Sequence, residues 1–115
     1  MKKRLNGNAK GKVGEREFAA LLRSFGTPAR RGQQFCGANG DADVVCEMPG
    51  VHFEVKRVEK LNVWQAFAQA KKDAGVKGDM PIVCHRKNRG EWLMTMSAED
   101  FLGMMRMLRD FDGDI

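Results

Sequence analysis

Two neighbouring stretches, Asp41-Ala42-Asp43-Val44-Val45 and Phe53-Glu54-Val55-Lys56, place charged side chains where a core strand would carry apolar ones. They flank Pro49-Gly50, a turn signal. A hairpin centred on that dipeptide sets Val45 opposite Glu54 and Asp43 opposite Lys56. Asp43, Glu54 and Lys56 then share one face. Val44, Cys46, Phe53 and Val55 form the other, an apolar layer suited to a core. Proline at the first turn position favours turn types I or II, so the loop is expected to be longer by a residue or two. A slip of one residue would send the charged set to opposite faces.

Two carboxylates a few ångströms apart repel each other unless a cation sits between them. An all-oxygen site of Asp43, Glu54 and the backbone carbonyl of Val55 favours Mg2+, with Mn2+ as a substitute. Lys56 is placed to orient or deprotonate a water beside a phosphate. The set describes metal-assisted phosphodiester hydrolysis. The competing reading of Glu54 and Lys56 is an ordinary ion pair on a solvated sheet face. Asp41 lies on the same face as Asp43 and rivals it as the metal-binding aspartate.

A helix is expected over residues 11–25, with Phe18, Leu21, Leu22 and Phe25 at helical spacing. Glu15 precedes Phe18 and Leu22 by three and seven positions and so faces inward, a third acid near the sheet. Glu17 points nearly the opposite way and is expected at the surface. Glu15 also suits the positive N-terminal end of the helix, and the two roles are compatible.

The formal charge of +5 favours an anionic partner. Lys2, Lys3, Arg4 and Lys10 lie in a glycine-containing segment almost without apolar residues, so residues 1–10 are expected to form a flexible basic arm and residues 11–115 a single domain. Lys12, the Arg30-Arg31 pair and Arg57 add charge where a DNA backbone could reach it. No apolar run approaches the roughly 18 residues of a membrane span, and no organic cofactor motif stands out, so a cytoplasmic protein is expected. Cys36, Cys46 and Cys84 show neither disulfide pairing nor zinc-ligand spacing. His52 and His85 lack evident partners and are not assigned to a site.

The remaining chain supplies scaffold. Strands are expected at 29–35, 81–85 and 92–96, in addition to the hairpin. A glycine-rich stretch at 33–40 ends the first strand. A second helix spans 62–74, with Val63, Phe67, Ala70 and Ala74 as its buried stripe. Ser97 caps a final helix whose apolar stripe is Phe101, Met104, Met105 and Leu108. The resulting order, αβββαββα, implies an α/β fold with a mixed sheet of about five strands flanked by helices. The C-terminal methionines, Met94 to Met107, suit a core or a dimer interface.

The ordered series Gly14-Glu15-Arg16-Glu17-Phe18, Arg30-Arg31, Gly40-Asp41-Ala42-Asp43 and Glu54-Val55-Lys56 resembles the PD-(D/E)xK nuclease superfamily. Within it the chain looks like archaeal-type Holliday junction resolvases and small phage endonucleases, over roughly residues 11 to 95. The resemblance implies a restriction-endonuclease-like core and a metal-dependent DNA endonuclease that acts on branched DNA and leaves a 3′-hydroxyl and a 5′-phosphate. It matches Glu15 to the helix-borne acid, Asp43 and Glu54 to the metal ligands, and Lys56 to the catalytic lysine. Arg16 matches an arginine that follows the acid, Arg30 or Arg31 one associated with DNA contact, and Gln69 a position near the site. The segment between the arginines and Asp43 is longer than the family's. A homodimer is implied, because symmetric cutting of a four-way junction needs two sites about a two-fold axis. A phage or mobile-element setting would suit such an enzyme. The alternatives are a nuclease of the same core acting on flaps, nicks or ends, and a DNA-binding module without catalysis.

Overall fold

The computed structural model describes residues 7–32 and 43–113. Among them the order is α1 (Gly7–Ser24), β1 (Ala29–Arg31), β2 (Val44–Cys46), β3 (Val51–Arg57), α2 (Val63–Gly75), β4 (Met80–Arg86), β5 (Leu93–Thr95) and α3 (Ala98–Gly113). This is the αβββαββα order expected from the pattern of apolar residues and turns. The five strands lie side by side in chain order. β1, β2 and β3 run antiparallel to one another, β3 and β4 are parallel, and β5 returns antiparallel, so the sheet is mixed. α2 is the crossover that the parallel pair requires.

The hairpin register differs from the expected one by two residues. Val44 pairs with Phe53, so continuing the ladder sets Asp43 beside Glu54 rather than Lys56. The cause is a longer loop. Residues 47–50 all lie outside the strands, and Gly50 takes a left-handed backbone at φ 80°. Because side chains alternate with a period of two, an even shift leaves every residue on its face.

One sheet face carries Val44, Phe53, Val55, Ile82 and Cys84, packed under Phe18, Ala19 and Leu22 of α1. Phe18 is the hub, with its ring edge-on to Phe53 at 5.4 Å and tilted against Trp92 at 5.1 Å. α1 comes very close to the end of β3 at Gly14, where an added Cβ would stand 2.8 Å from that of Arg57.

On the other face, α2 covers β3 and β4. It starts at Asn62, whose side chain accepts a hydrogen bond from the Gln65 backbone N–H at 3.1 Å. Its buried stripe is Ala66, Ala70 and Ala74. This corrects the expected stripe: Val63 and Phe67 are only half-buried. Three alanines let the helix backbone approach Val83 closely, and the larger side chains flank that contact.

α3 stands apart. Ser97 caps it as expected, accepting from the Asp100 N–H at 3.0 Å, and every residue from Phe101 to Phe111 is exposed. The stripe Phe101, Met104, Met105 and Leu108 is therefore not buried against the other described residues. Met96 does join the core, whereas Met94 on edge strand β5 is exposed.

The described part of the first strand stops at Arg31, and α1 begins at Gly7, so the expected arm is helical backbone from residue 7 onward. The remainder of the arm, the glycine-rich stretch, Cys36 and Asp41 lie outside the described residues. No described helix is long and apolar enough to cross a membrane.

Candidate active site

Asp43 sits where the β2–β3 ladder ends. Its backbone N–H donates to the Phe53 carbonyl at 3.1 Å, while its carbonyl accepts from the Gly32 N–H at 2.8 Å. With β2 finished, the Val55 N–H has no strand partner ahead of it, and the Asp43 carboxylate fills that role by accepting from it at 2.8 Å. Three hydrogen bonds therefore fix one buried aspartate between β1 and β3.

That position is expensive for a negative charge. Burial, and then the neighbouring Glu54 carboxylate, push Asp43 up to about 7, with Glu15 adding to the rise. The Val55 hydrogen bond and the Lys56 ammonium pull in the opposite direction. Glu54, Glu15 and Lys56 are thus electrostatic neighbours of Asp43. Asp43 and Glu54 are both almost fully buried, and Lys56 is half-buried. Neighbouring buried carboxylates of this kind fit a hard divalent cation.

Glu15 is inward-facing and buried, and its partner is Arg31 on β1, whose Nε donates to Oε2 at 2.6 Å. Of the basic residues assigned to DNA, Lys12, Arg16 and Arg30 are exposed. Arg31 is committed to Glu15. Arg57 is committed too, to Glu17 at 3.1 Å and to the Asn88 side-chain oxygen at 2.9 Å.

Glu17 is consequently no free surface residue. It holds both Arg57 and Arg86, the latter at 2.8 Å, and ties α1 to the ends of β3 and β4. Helical phase alone points it away from Phe18. The signal that could have found it was the arginine that ends each strand it reaches. Gln69 is exposed on α2, and its amide donates to Asp73 at 3.4 Å. His85 has a local partner in the Thr95 hydroxyl, 2.9 Å away, and burial lowers its pKa.

A second group of donors was not assembled from the sequence. His52, Glu54 and Asp73 each bring a ligand atom within 4.8 Å of the others. His52 and Glu54 alternate along β3 on the face that α2 covers, and Asp73 comes from α2 itself. His52 is completely buried, and the Glu54 carboxylate beside it raises its pKa against the effect of burial. The alternation of His52 with Glu54 was visible in the sequence, but the docking of Asp73 was not.

No family model and no curated protein sequence matches this chain. A solved structure does: the Holliday junction resolvase of the archaeal hyperthermophile Archaeoglobus fulgidus, 22% identical, superposes with a TM-score of 0.56 over 76% of this chain and 72% of the other. The chain shares that structure's α/β fold. On this fold Asp43 immediately precedes β2, Glu54 and Lys56 lie on β3, and Glu15 comes from the helix packed across the sheet.

Proposed function

We propose that the protein is a Mg2+-dependent endonuclease acting on branched DNA, of the Holliday junction resolvase kind. The observation that carries this reading is the buried pair of Asp43, just ahead of β2, and Glu54 on β3, electrostatic neighbours with Lys56 two residues further along β3.

Asp43, Glu54 and the Val55 carbonyl would hold the cation, with Glu15 supporting its water shell from α1. Mg2+ supplies Lewis acidity toward a phosphate oxygen and a lowered pKa for bound water. Lys56 positions the attacking water and offsets charge that develops on the phosphate. Arg31 holds Glu15 in place, while Lys12, Arg16 and Arg30 contribute phosphate contacts that carry affinity without sequence preference.

A homodimer belongs to the same reading, because a four-way junction offers two equivalent strands about a two-fold axis. The exposed apolar side chains of α3, together with Leu93 and Met94 on edge strand β5, support contact with a second copy.

The test is cleavage of a labelled synthetic four-way junction beside matched duplex, flap and single-stranded DNA, with Mg2+ and with chelator. Paired symmetric nicks near the crossover, only with Mg2+, are expected. Cutting of flaps or ends instead would keep the nuclease and change its substrate. Tight, salt-sensitive binding with no cutting of any substrate would overturn the catalytic reading and leave a DNA-binding module.

A further inference from the structure

His52 is an odd residue to bury. Its side chain is only 1% exposed, and Nε2 makes no hydrogen bond among the described residues. Glu54 Oε2 lies 3.6 Å away, too far for a full hydrogen bond but close enough to share a ligand. A buried imidazole nitrogen left without a hydrogen bond is costly, and a fold tolerates it when something else satisfies it.

What faces it is a pair of carboxylates from two different elements. Glu54 projects from β3 beside it, and Asp73 approaches from the last turns of α2, with one oxygen accepting from Gln69. The three donor atoms lie within 4.8 Å of one another, a spread that modest side-chain rotation closes onto one ion at about 2 Å from each. Glu54 and His52 are buried, while Asp73 is half-buried and leaves an entry path from the α2 surface.

We propose that His52, Glu54 and Asp73 form a second cation site, selective for a transition metal of the zinc class, which clamps α2 onto β3. The donor set decides the selectivity. One imidazole nitrogen with two carboxylates suits Zn2+, Co2+ or Mn2+, whereas the all-oxygen neighbourhood of Asp43 suits Mg2+. Glu54 has two carboxylate oxygens and lies between the two sites, so an ion held by His52 constrains the same carboxylate that the proposed nuclease site uses. The binding claim itself does not rest on nuclease activity. Because imidazole must be neutral to ligate, binding releases a proton and strengthens as pH rises.

The experiment uses the chelator-treated full chain, titrated with Co2+ and followed by its visible ligand-field absorption, then competed with Zn2+ and separately with Mg2+. One Co2+ per chain is expected, displaced by Zn2+ and not by Mg2+ at equal concentration. Asp73→Asn, which changes a half-buried position, and His52→Gln should each weaken binding by at least about tenfold. Arg106→Gln, exposed on α3, should leave it intact. Circular dichroism establishes that each variant is folded. No Co2+ binding by the folded wild-type chain, unchanged binding in folded Asp73→Asn, or a thiolate charge-transfer band that assigns the ion to cysteine would each overturn the site. Junction cleavage with Mg2+ but without His52-dependent Co2+ binding would reject this site alone. The converse result would reject the nuclease reading alone.

Discussion

β3 and α3 invert the usual distribution of polar and apolar residues. β3 and the residue that caps its ladder bury Asp43, His52 and Glu54, while α3 displays Phe101, Leu102, Met107, Leu108 and Phe111 to solvent. Both arrangements cost stability when the chain stands alone. At β3 the Asp43 carboxylate is held by the Val55 N–H and the strand is packed under α1, so the cost is maintained by a finished structure. In α3 a regular, capped helix has nothing among the described residues laid over it. A buried charge of the first kind points to chemistry, and an uncovered apolar face of the second kind points to a partner.

The largest effect should come from the buried charges. Glu54→Gln and Asp43→Asn are expected to lower Mg2+-dependent junction cleavage by on the order of a thousandfold, with junction affinity changed only a few-fold. Asparagine suits Asp43 because its side-chain oxygen can still accept from the Val55 N–H. Cleavage that survives either change would break the contrast at its polar end.

The apolar end is tested by association. Leu108→Glu should convert a homodimer to a monomer in sedimentation equilibrium while leaving the far-ultraviolet spectrum nearly unchanged, since Leu108 is 57% exposed within the chain. A wild-type protein that is monomeric at all accessible concentrations would remove the second copy as the cover for α3.

At Gly14 the prediction concerns packing. Gly14→Ala should cost about 1–3 kcal/mol in urea denaturation, because its methyl group would press on Arg57. A neutral result would mean that α1 can draw back from β3 without penalty.

The pH dependence has a definite sign. Asp43 is raised from 3.8 to about 7, so between those values the native state holds a proton that the unfolded chain has lost. Stability in chelator should therefore fall as pH rises from about 4 to about 7, and the raised His52 extends the fall above its ordinary 6.5. The lowered His85 opposes them. Urea midpoints measured across this range should fall less steeply in Asp43→Asn.

The smallest effect compares two helix caps. Asn62→Ala at α2 should lower global stability by about 1 kcal/mol, because α2 is packed against the sheet. Ser97→Ala at α3, in the Leu108→Glu background, should only speed amide exchange in the first turns of α3. A comparable global loss from both changes would mean that α3 is coupled to the body after all.

Much of this was legible in the sequence. Alternation placed Asp43, Glu54 and Lys56 on one face, and the Ser97 cap and the element order followed from local signals. The hairpin register was not legible, because Pro49-Gly50 identifies a turn without fixing its length. Helical phase made Glu15 inward, but it could not foresee that Arg31 would take it or that Glu17 would gather Arg57 and Arg86. The α3 stripe was legible as apolar, with core and dimer interface both left open, since periodicity reports a face and not what covers it. Asp73 escaped notice because its role depends on how α2 docks, a long-range property.

The loop at residues 47–50 behaves as a parity gate for the whole site. Adding or deleting two residues there slides one strand along the other and keeps the acids together, as the difference between the expected and observed registers already illustrates. Changing it by one residue, without a compensating bulge, would turn Asp43 toward Phe18 and bring Val44 up against Glu54. Related chains that kept this chemistry could vary freely in hairpin length, but only in even steps.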